Sequence, residues 1–471
     1  MSECASRSFA LTMVSVLRIV VLLAWAFAQT ETKAVFAHFM TGNAENYTAK
    51  DWEKDISLAK KATIDAFALN MGMNDLHPES LSKAFSTAKD QDFKLFFSFD
   101  YASNGSWPRE RVTDLLKQYK DHSAYYQHKA QPFVSTFEGF DAASDWKRIK
   151  EETDCFFVPD WSAVEPHKAA RHRVIDGLFN WNAWPEGPHA ISTTVDEDFL
   201  DALGGRSYMM PVSPWFYTNL PGFDKNWVWR GDNLWHDRWQ QAFQLQPEFV
   251  QINTWNDFGE SHYIGPLNDA RSAVFGPEKG NAPFDYAKNM EHDAWRTLLP
   301  YLVSQYKSPN NKTTLAISEE AVVSWYRLRP GEACRAGGTT GNAPNHRQKE
   351  YPASKILEDR IFYSAILNFN ANVSVKVGDE SPTARWESVP ENGKGIYHGS
   401  VPFQSTGRVE VAVTRQGKKV ATMQGEPITS KCPDSDKGMQ NWNAWVGQSE
   451  SASLRVHWEI IALAVLLVSL V

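Results

Sequence analysis

Between Val35 and Thr254 short apolar runs recur with helical patterns between them, and this alternation limits the possible folds more than any other feature of the chain. The runs are Val35–Met40, Ala66–Met71, Lys94–Phe99, Phe133–Phe137, Cys155–Val158, Gly177–Trp181, Tyr208–Val212 and Phe249–Thr254. They are apolar nearly throughout, as parallel strands buried on both faces must be. The segments between them read as helices. Thr48-x-x-Asp51 forms a capping box ahead of Trp52, Ile56 and Ala59, and Glu79–Gln91 follows. Pro108 stands in a first turn before Val112, Leu115 and Leu116, and Ser144 can cap Asp145–Glu152. Further helices fit Glu165–Val174, Asp196–Leu203, Leu234–Gln244 and Ala294–Tyr306. Eight strands alternating with eight helices predict an α/β fold, a (β/α)8 TIM-type barrel over residues 33–307. An open doubly wound sheet is the competing architecture, but no G-x-G-x-x-G or phosphate-loop pattern follows any strand.

Beyond residue 308 the period changes. Asn310-Asn311-Lys312-Thr313-Thr314 has the polarity of a linker, and stretches such as Arg408–Thr414 then alternate with period two between Gly/Pro turns. That predicts a smaller β-sandwich, without helix, over 308–446, with a polar loop at Gly337–Gln348. It carries no evident cluster of titratable groups. Its expected role is to brace the barrel, with carbohydrate binding as the alternative. The pentapeptide Asn180-Trp181-Asn182-Ala183-Trp184 returns as Asn441-Trp442-Asn443-Ala444-Trp445.

Both ends read as processing signals. Arg7, the apolar run Phe9–Phe27 and the small-residue site Ala26-Phe27-Ala28 make residues 1–28 a secretory signal peptide; an N-terminal membrane anchor is the alternative. Residues 447–471 place small residues, a polar spacer and the uncharged tail Ile460–Val471 in the order of a GPI-attachment signal, with Ser449 or Ser451 as the attachment residue. The tail is shorter than the ~20 residues a spanning helix needs. Secretion agrees with sequons at Asn46, Asn104, Asn311 and Asn372. It also agrees with a cysteine set in which Cys334 and Cys432 can pair while Cys155 is a buried free thiol. The expected location is the cell surface or wall.

The net charge of −8 without any basic block argues against nucleic acid as a partner. The 19 tryptophans point elsewhere, because many lie beside Asn, Asp, Glu or His. A flat apolar face flanked by hydrogen-bonding groups suits a sugar ring. In a barrel the active site lies at the C-terminal strand ends. Those positions hold His38, Asn70, Asp100, Glu138, Asp160, Trp181-Asn182, Ser213 and Trp215, and finally the stretch Trp255–Tyr263. Acids at strand mouths suit glycoside hydrolysis, in which one carboxylic acid protonates the leaving oxygen and a carboxylate activates water or attacks carbon. Asp257 and Glu260, with Gly259 between them, are the strongest pair, with Glu260 read as acid and Asp257 as base. A metal hydrolase would need clustered ligands. His38, His262 and His292 are scattered along the sequence, and there is no H-E-x-x-H or G-x-S-x-G, so neither metal nor cofactor is expected.

At these residues the sequence resembles glycoside hydrolase family 71, the fungal α-1,3-glucanases or mutanases. The resemblance rests on Val35-Phe36-Ala37-His38-Phe39-Met40-x-Gly42-Asn43, Ile64–Asn70, Phe133–Gly139, Trp181–Pro185, Pro211–Tyr217 and above all Trp255-Asn256-Asp257-x-Gly259-Glu260-Ser261-His262-Tyr263-Ile264-Gly265. It implies a barrel plus β-sandwich that cleaves α-1,3-glucan with inversion and without a cofactor; the chain is separately expected to be a monomer. It carries the catalytic roles onto Asp257 and Glu260. On position, Asp100 is the expected third acid and Glu138 the next candidate. The expected sugar-binding residues are His38, Asn70, Glu138, Asp160, Trp181, Asn182, Trp255, Asn256, His262 and Tyr263. A wall-anchored transglycosidase and a non-catalytic wall-binding protein are the competing functions.

Overall fold

The computed structural model describes residues 33–103, 105–269, 271–308 and 316–449. The signal peptide, most of the attachment signal, and the sequons at Asn104 and Asn311 lie outside the described residues. Asn46 and Asn372 are exposed.

Eight parallel strands form one curled sheet. They are β1 (Ala34–Met40), β2 (Ala66–Met71), β3 (Lys94–Asp100), β4 (Gln131–Phe137), β5 (Phe156–Phe157), β6 (Gly177–Phe179), β7 (Ser207–Val212) and β8 (Phe249–Ile252). From β1 the sheet runs one way through β2, β3, β4 and β5, and the other way through β8, β7 and β6. Its two ends meet at Asp160, which bridges Phe137 on one side and Phe179 on the other. The Phe179 amide donates to the Pro159 carbonyl at 2.8 Å.

The sheet's inner face changes character along its height because side chains two residues apart point the same way. At the N-terminal end Phe36, Phe96, Phe133 and Phe249 pack ring to ring, with centroids 4.8 Å apart for Phe36–Phe96 and 5.1 Å for Phe133–Phe249. One step up, the same rows present His38 after Phe36, Ser98 after Phe96 and Gln251 after Phe249. One step further, β3 ends in Asp100. The floor is therefore packed mainly by aromatic contact, with the His128–Glu248 pair beside it, and the acids of interest gather at the C-terminal mouth.

The outer helices are α1 (Ala49–Lys61), α2 (Pro78–Asp90), α3 (Arg109–Tyr119), α4 (Asp145–Thr153), α5 (Pro166–Ala170), α6 (Thr194–Leu203), α7 (Leu234–Leu245) and α8 (Leu299–Lys307). Thr48 and Asp51 form both bonds of the capping box. Ser144 does occupy the N-cap position of α4, but its own helical backbone leaves the side chain without a capping bond. The segment expected as one helix over 294–306 is a 3-10 turn, Asp293–Leu298, that runs into α8. The stretch expected to be helical through Val174 stops at Ala170.

Two antiparallel sheets follow. One orders β12 (Gly395–Pro402), β10 (Arg360–Leu367), β9 (Ala321–Tyr326) and β15 (Trp445–Gln448); the other orders β11 (Asn372–Val377), β13 (Gly407–Arg415) and β14 (Lys418–Ile428). Val322, Ile361 and Tyr363 from the first share one buried cluster with Val375, Val411 and Met423 from the second. This region is not free of helix, since Ala353–Ile356 makes one short turn. Cys334 and Cys432 form a disulfide, and Cys155 is free and buried.

The loop expected over 337–348 is partly ordered into a sheet. Thr340–Gly341 adds to a hairpin after β7, formed by Tyr217–Leu220 and Lys225–Val228, and Tyr351–Pro352 completes the four strands. The repeated pentapeptide also acquires a physical account. Asn180 Oδ1 accepts from the Asn182 amide and Asn441 Oδ1 from the Asn443 amide, each at 2.9 Å. Both copies are the same local turn, in which an Asn side chain replaces a backbone carbonyl.

Candidate active site

The loop after β8 turns the expected acids toward the mouth. The Asp257 amide donates to Thr254 Oγ1 at 2.9 Å, and Asp257 Oδ1 caps the 3-10 turn Phe258–Glu260 by accepting from the Glu260 amide at 3.1 Å. Ser261 then takes a left-handed conformation (φ 60°), which reverses the chain and brings His262 back beneath both acids. His262 Nε2 lies 3.0 Å from Glu260 Oε2 and 3.5 Å from Asp257 Oδ2. Lys225 Nζ, from the hairpin after β7, donates to Glu260 Oε1 at 2.5 Å.

Charge in this group follows from those contacts. Burial alone would push the Glu260 carboxyl up, but Lys225 and His262 outweigh it and hold Glu260 well below the ordinary carboxylate range. Burial opposes charge on His262 as well, yet Asp257 and Glu260 raise it to about 9. At neutral pH the Glu260 carboxylate is thus set against a cationic imidazole and an ammonium. Donor atoms of Asp257, Glu260 and His262 lie within 4.8 Å of one another, a spacing suited to a cation, and the Lys225 ammonium already supplies one against Glu260. His38 underlies the group; burial and then His262 push it down to about 3, so it stays neutral.

A second group of acids stands on the neighbouring strands. Asp100 ends β3, and its Oδ1 accepts from the amides of Ala102 and Ser103, each at 2.8 Å. Glu138 follows β4 in a left-handed conformation (φ 54°), and Gly139 continues it (φ 94°), where a Cβ would strike the Tyr101 ring at 2.6 Å. Asp160 is fully buried; one oxygen accepts from Ser162, and Oδ2 has no protein partner. Among the described residues no salt bridge reaches Glu138 or Asp160, and Lys225 acts on Asp100 without pairing with it. Burial and then Glu138 push Asp160 well up, and burial with Asp100 as a like-charged neighbour lifts Glu138 to about 7. Asp100 is raised too, by burial first.

The remaining expected residues divide. Trp181 is half-buried at the mouth, edge-on to His38 at 4.8 Å and to Phe137 at 4.9 Å. Asn182 is exposed beside it, and Asn70 is buried with its Nδ2 lacking a protein partner. Three expectations are corrected. Trp255 is 0 % exposed and packs on Phe67 at 5.0 Å; Tyr263 is 0 % exposed and stacks on His292 at 4.0 Å; Asn256 uses its amide on the Met40 backbone. None has a face left for a sugar. They anchor the loop that carries the acids: Trp255 and Asn256 follow the buried strand closely and are still within the packed layer, and Tyr263 returns to it after the turn at Ser261.

Sequence reading missed the residues that surround His262. Phe216 stacks on it at 5.6 Å and Trp184 meets it edge-on at 5.2 Å, while Trp229 stacks on Trp184 at 5.3 Å. Trp184 and Phe216 stand in stretches that carried the family resemblance, so a signal existed. Lys225 had none, since a lone lysine in a polar turn is ordinary.

Carboxylates converging at the mouth of a curled parallel sheet, flanked by half-buried aromatic rings, define a glycoside hydrolase. Comparison with known proteins then names the group. The chain belongs to glycosyl hydrolase family 71, whose family model matches residues 31–457. It is 34 % identical over 434 residues to a mutanase of Penicillium rubens, covering 90 % of each chain. It is 32 % identical to a glucan endo-1,3-alpha-glucosidase of Schizosaccharomyces pombe, covering 88 % of this chain and 94 % of that one. An ascus wall endo-1,3-alpha-glucanase of the same yeast is 27 % identical, covering 72 % of this chain and 82 % of the relative.

Proposed function

We propose that the chain hydrolyses α-1,3-glucosidic bonds of a cell-wall α-glucan on a (β/α)8 barrel, with inversion and without a cofactor, using Asp257 and Glu260 as its working carboxylates. The observation that carries this reading is the convergence of both acids on one His262 nitrogen at the mouth. In the resting site Glu260 is the anion, because Lys225 and His262 outweigh its burial. We therefore assign Glu260 the water-activating role, the reverse of the division expected from sequence. Proton donation then falls to Asp257 or to half-buried Glu138, which is still partly protonated near pH 7.

A substrate with a good leaving group decides between them, since it rescues loss of the acid and not loss of the base. Glu260→Gln is expected to stay unrescued; rescue of Glu260→Gln would restore the original division. Activity against a panel of α- and β-glucans tests the substrate, and the anomer of the first product tests inversion. Added acceptor sugar separates hydrolysis from the competing transglycosidase reading.

Action outside the cell is supported by the Cys334–Cys432 disulfide, since such bonds persist in oxidising compartments, and by the ascus wall relative. Among the described residues no helix is long and apolar enough to cross a membrane. A GPI anchor remains our reading of the tail, and release of the protein by phosphatidylinositol-specific phospholipase is the expected result.

A further inference from the structure

Lys225 reaches Glu260 from an element that the polar loop of the C-terminal region holds in place. Lys225 pairs with Leu220 across the hairpin after β7. On its free side both neighbours of Lys225 are tied to that loop. The Asp224 carbonyl accepts from Asn345 Nδ2 at 3.2 Å. The Asn226 side chain accepts from Thr339 Oγ1 at 2.7 Å and donates to the Gly337 carbonyl at 3.1 Å. Trp227 and Val228 then pair in parallel with Thr340 and Gly341. The loop is anchored in turn by the disulfide at Cys334, and Arg335 exchanges backbone bonds with Gly438 and Gln440. The other strand of the hairpin is registered to the acid itself, because the Tyr286 hydroxyl accepts from the Asn219 amide at 3.1 Å and donates to the Gly259 carbonyl at 2.6 Å.

We infer that Lys225 is a positioning residue for Glu260, presented by the 337–345 loop, so that the β-rich C-terminal region completes the active site instead of only bracing the barrel. The inference rests on the reading of Glu260 as a working carboxylate. An ammonium that fixes one carboxylate oxygen leaves the other to His262, which sets both the aim of the carboxylate and its charge. The same ammonium also feels Asp257 and Asp100. Glu260 is faced in addition by His262, by neutral His38 from β1 and by His346 from the loop. His262 holds the other oxygen, Oε2, and His38 and His346 do not replace Lys225, since both are pushed toward the neutral form by burial.

The test is the pH profile of kcat/KM on soluble α-1,3-linked oligosaccharides, measured on the full chain for Lys225→Met, Lys225→Arg and Thr339→Val. An opposite charge in contact shifts a carboxyl by about 1–3 pH units, so Lys225→Met is expected to move the acidic limb up by about that much and to lower kcat/KM. Lys225→Arg should restore the limb, and Thr339→Val should move it the same way by less. Unchanged limbs in Lys225→Met, while Glu260→Gln abolishes turnover, overturn the inference and leave the proposed function standing. Full activity in Glu260→Gln sinks the proposed function instead. Where Lys225→Met does not fold, an unmoved limb in Thr339→Val overturns the role of the loop.

Discussion

The mouth holds two groups of acids that differ in charge although both are largely buried. Glu260 is kept ionised by a histidine and a lysine in contact with it, whereas Glu138 and Asp160 make no ion pair among the described residues and are raised by burial and by neighbouring acids. Burial pushes every carboxyl toward its neutral form, and what differs is whether a cation is within reach to reverse it. Under the proposed function, Glu260 supplies the anion and Glu138 is a carboxyl able to hold a proton, the pairing that acid–base cleavage of a glycoside requires.

Substitution should separate the two groups most sharply in turnover. Asp257→Asn and Glu260→Gln are each expected to lose roughly 10²–10⁴-fold in kcat, and near-normal rates in both would end the distinction. Stability should separate them next. Glu260→Gln strands Lys225 and His262, and breaking such a network costs about 3 kcal/mol or more in thermal or denaturant unfolding. Asp160→Asn replaces a neutral carboxylic acid by its isostere and should cost far less; an equal loss would show that Asp160 is charged after all.

The pH dependence of stability offers a third test. Glu138 has a folded-state value raised to about 7, so its contribution is present below its ordinary range and is lost as pH rises through about 7. Glu138→Gln removes that loss, and its melting temperature is expected to gain on the parent between pH 5 and pH 8. His262, raised to about 9, contributes fully below its ordinary value near 6.5 and loses that contribution only as pH climbs through 9. The smallest expected effect concerns the rings beside the acids. Trp181→Ala should raise KM with little change in melting temperature, whereas Trp255→Ala, in the core, should cost about 3–5 kcal/mol of stability. Equal melting losses would place Trp181 in the core as well.

The order of strands and helices was legible because a strand buried on both faces must be apolar along its length, and β1 through β8 follow the expected runs with shifts of a residue or two at their ends. The long stretch Trp255–Gly265 was legible as a site because two acids, a turn glycine and a histidine stand within a few residues. Which of its members face the mouth was not. Asp257 and Glu260 do, with His262 buried beneath them, while Trp255, Asn256 and Tyr263 serve the packing, a division made by the turn at Ser261 and the layers beneath it.

The sequence by itself determined the sheet, the family and the residues proposed to carry the chemistry, because periodicity, strand-end position and a compact motif are all local properties. Only the tertiary structure decided how charge is distributed among those residues. The ionisation of Glu260 depends on Lys225, 35 residues away along the chain, and the residues on either side of Lys225 are bonded to Thr339 and Asn345, more than 110 residues further on. Electrostatic neighbours act through space at a few ångströms, and no pattern along the chain records which distant side chain will arrive there.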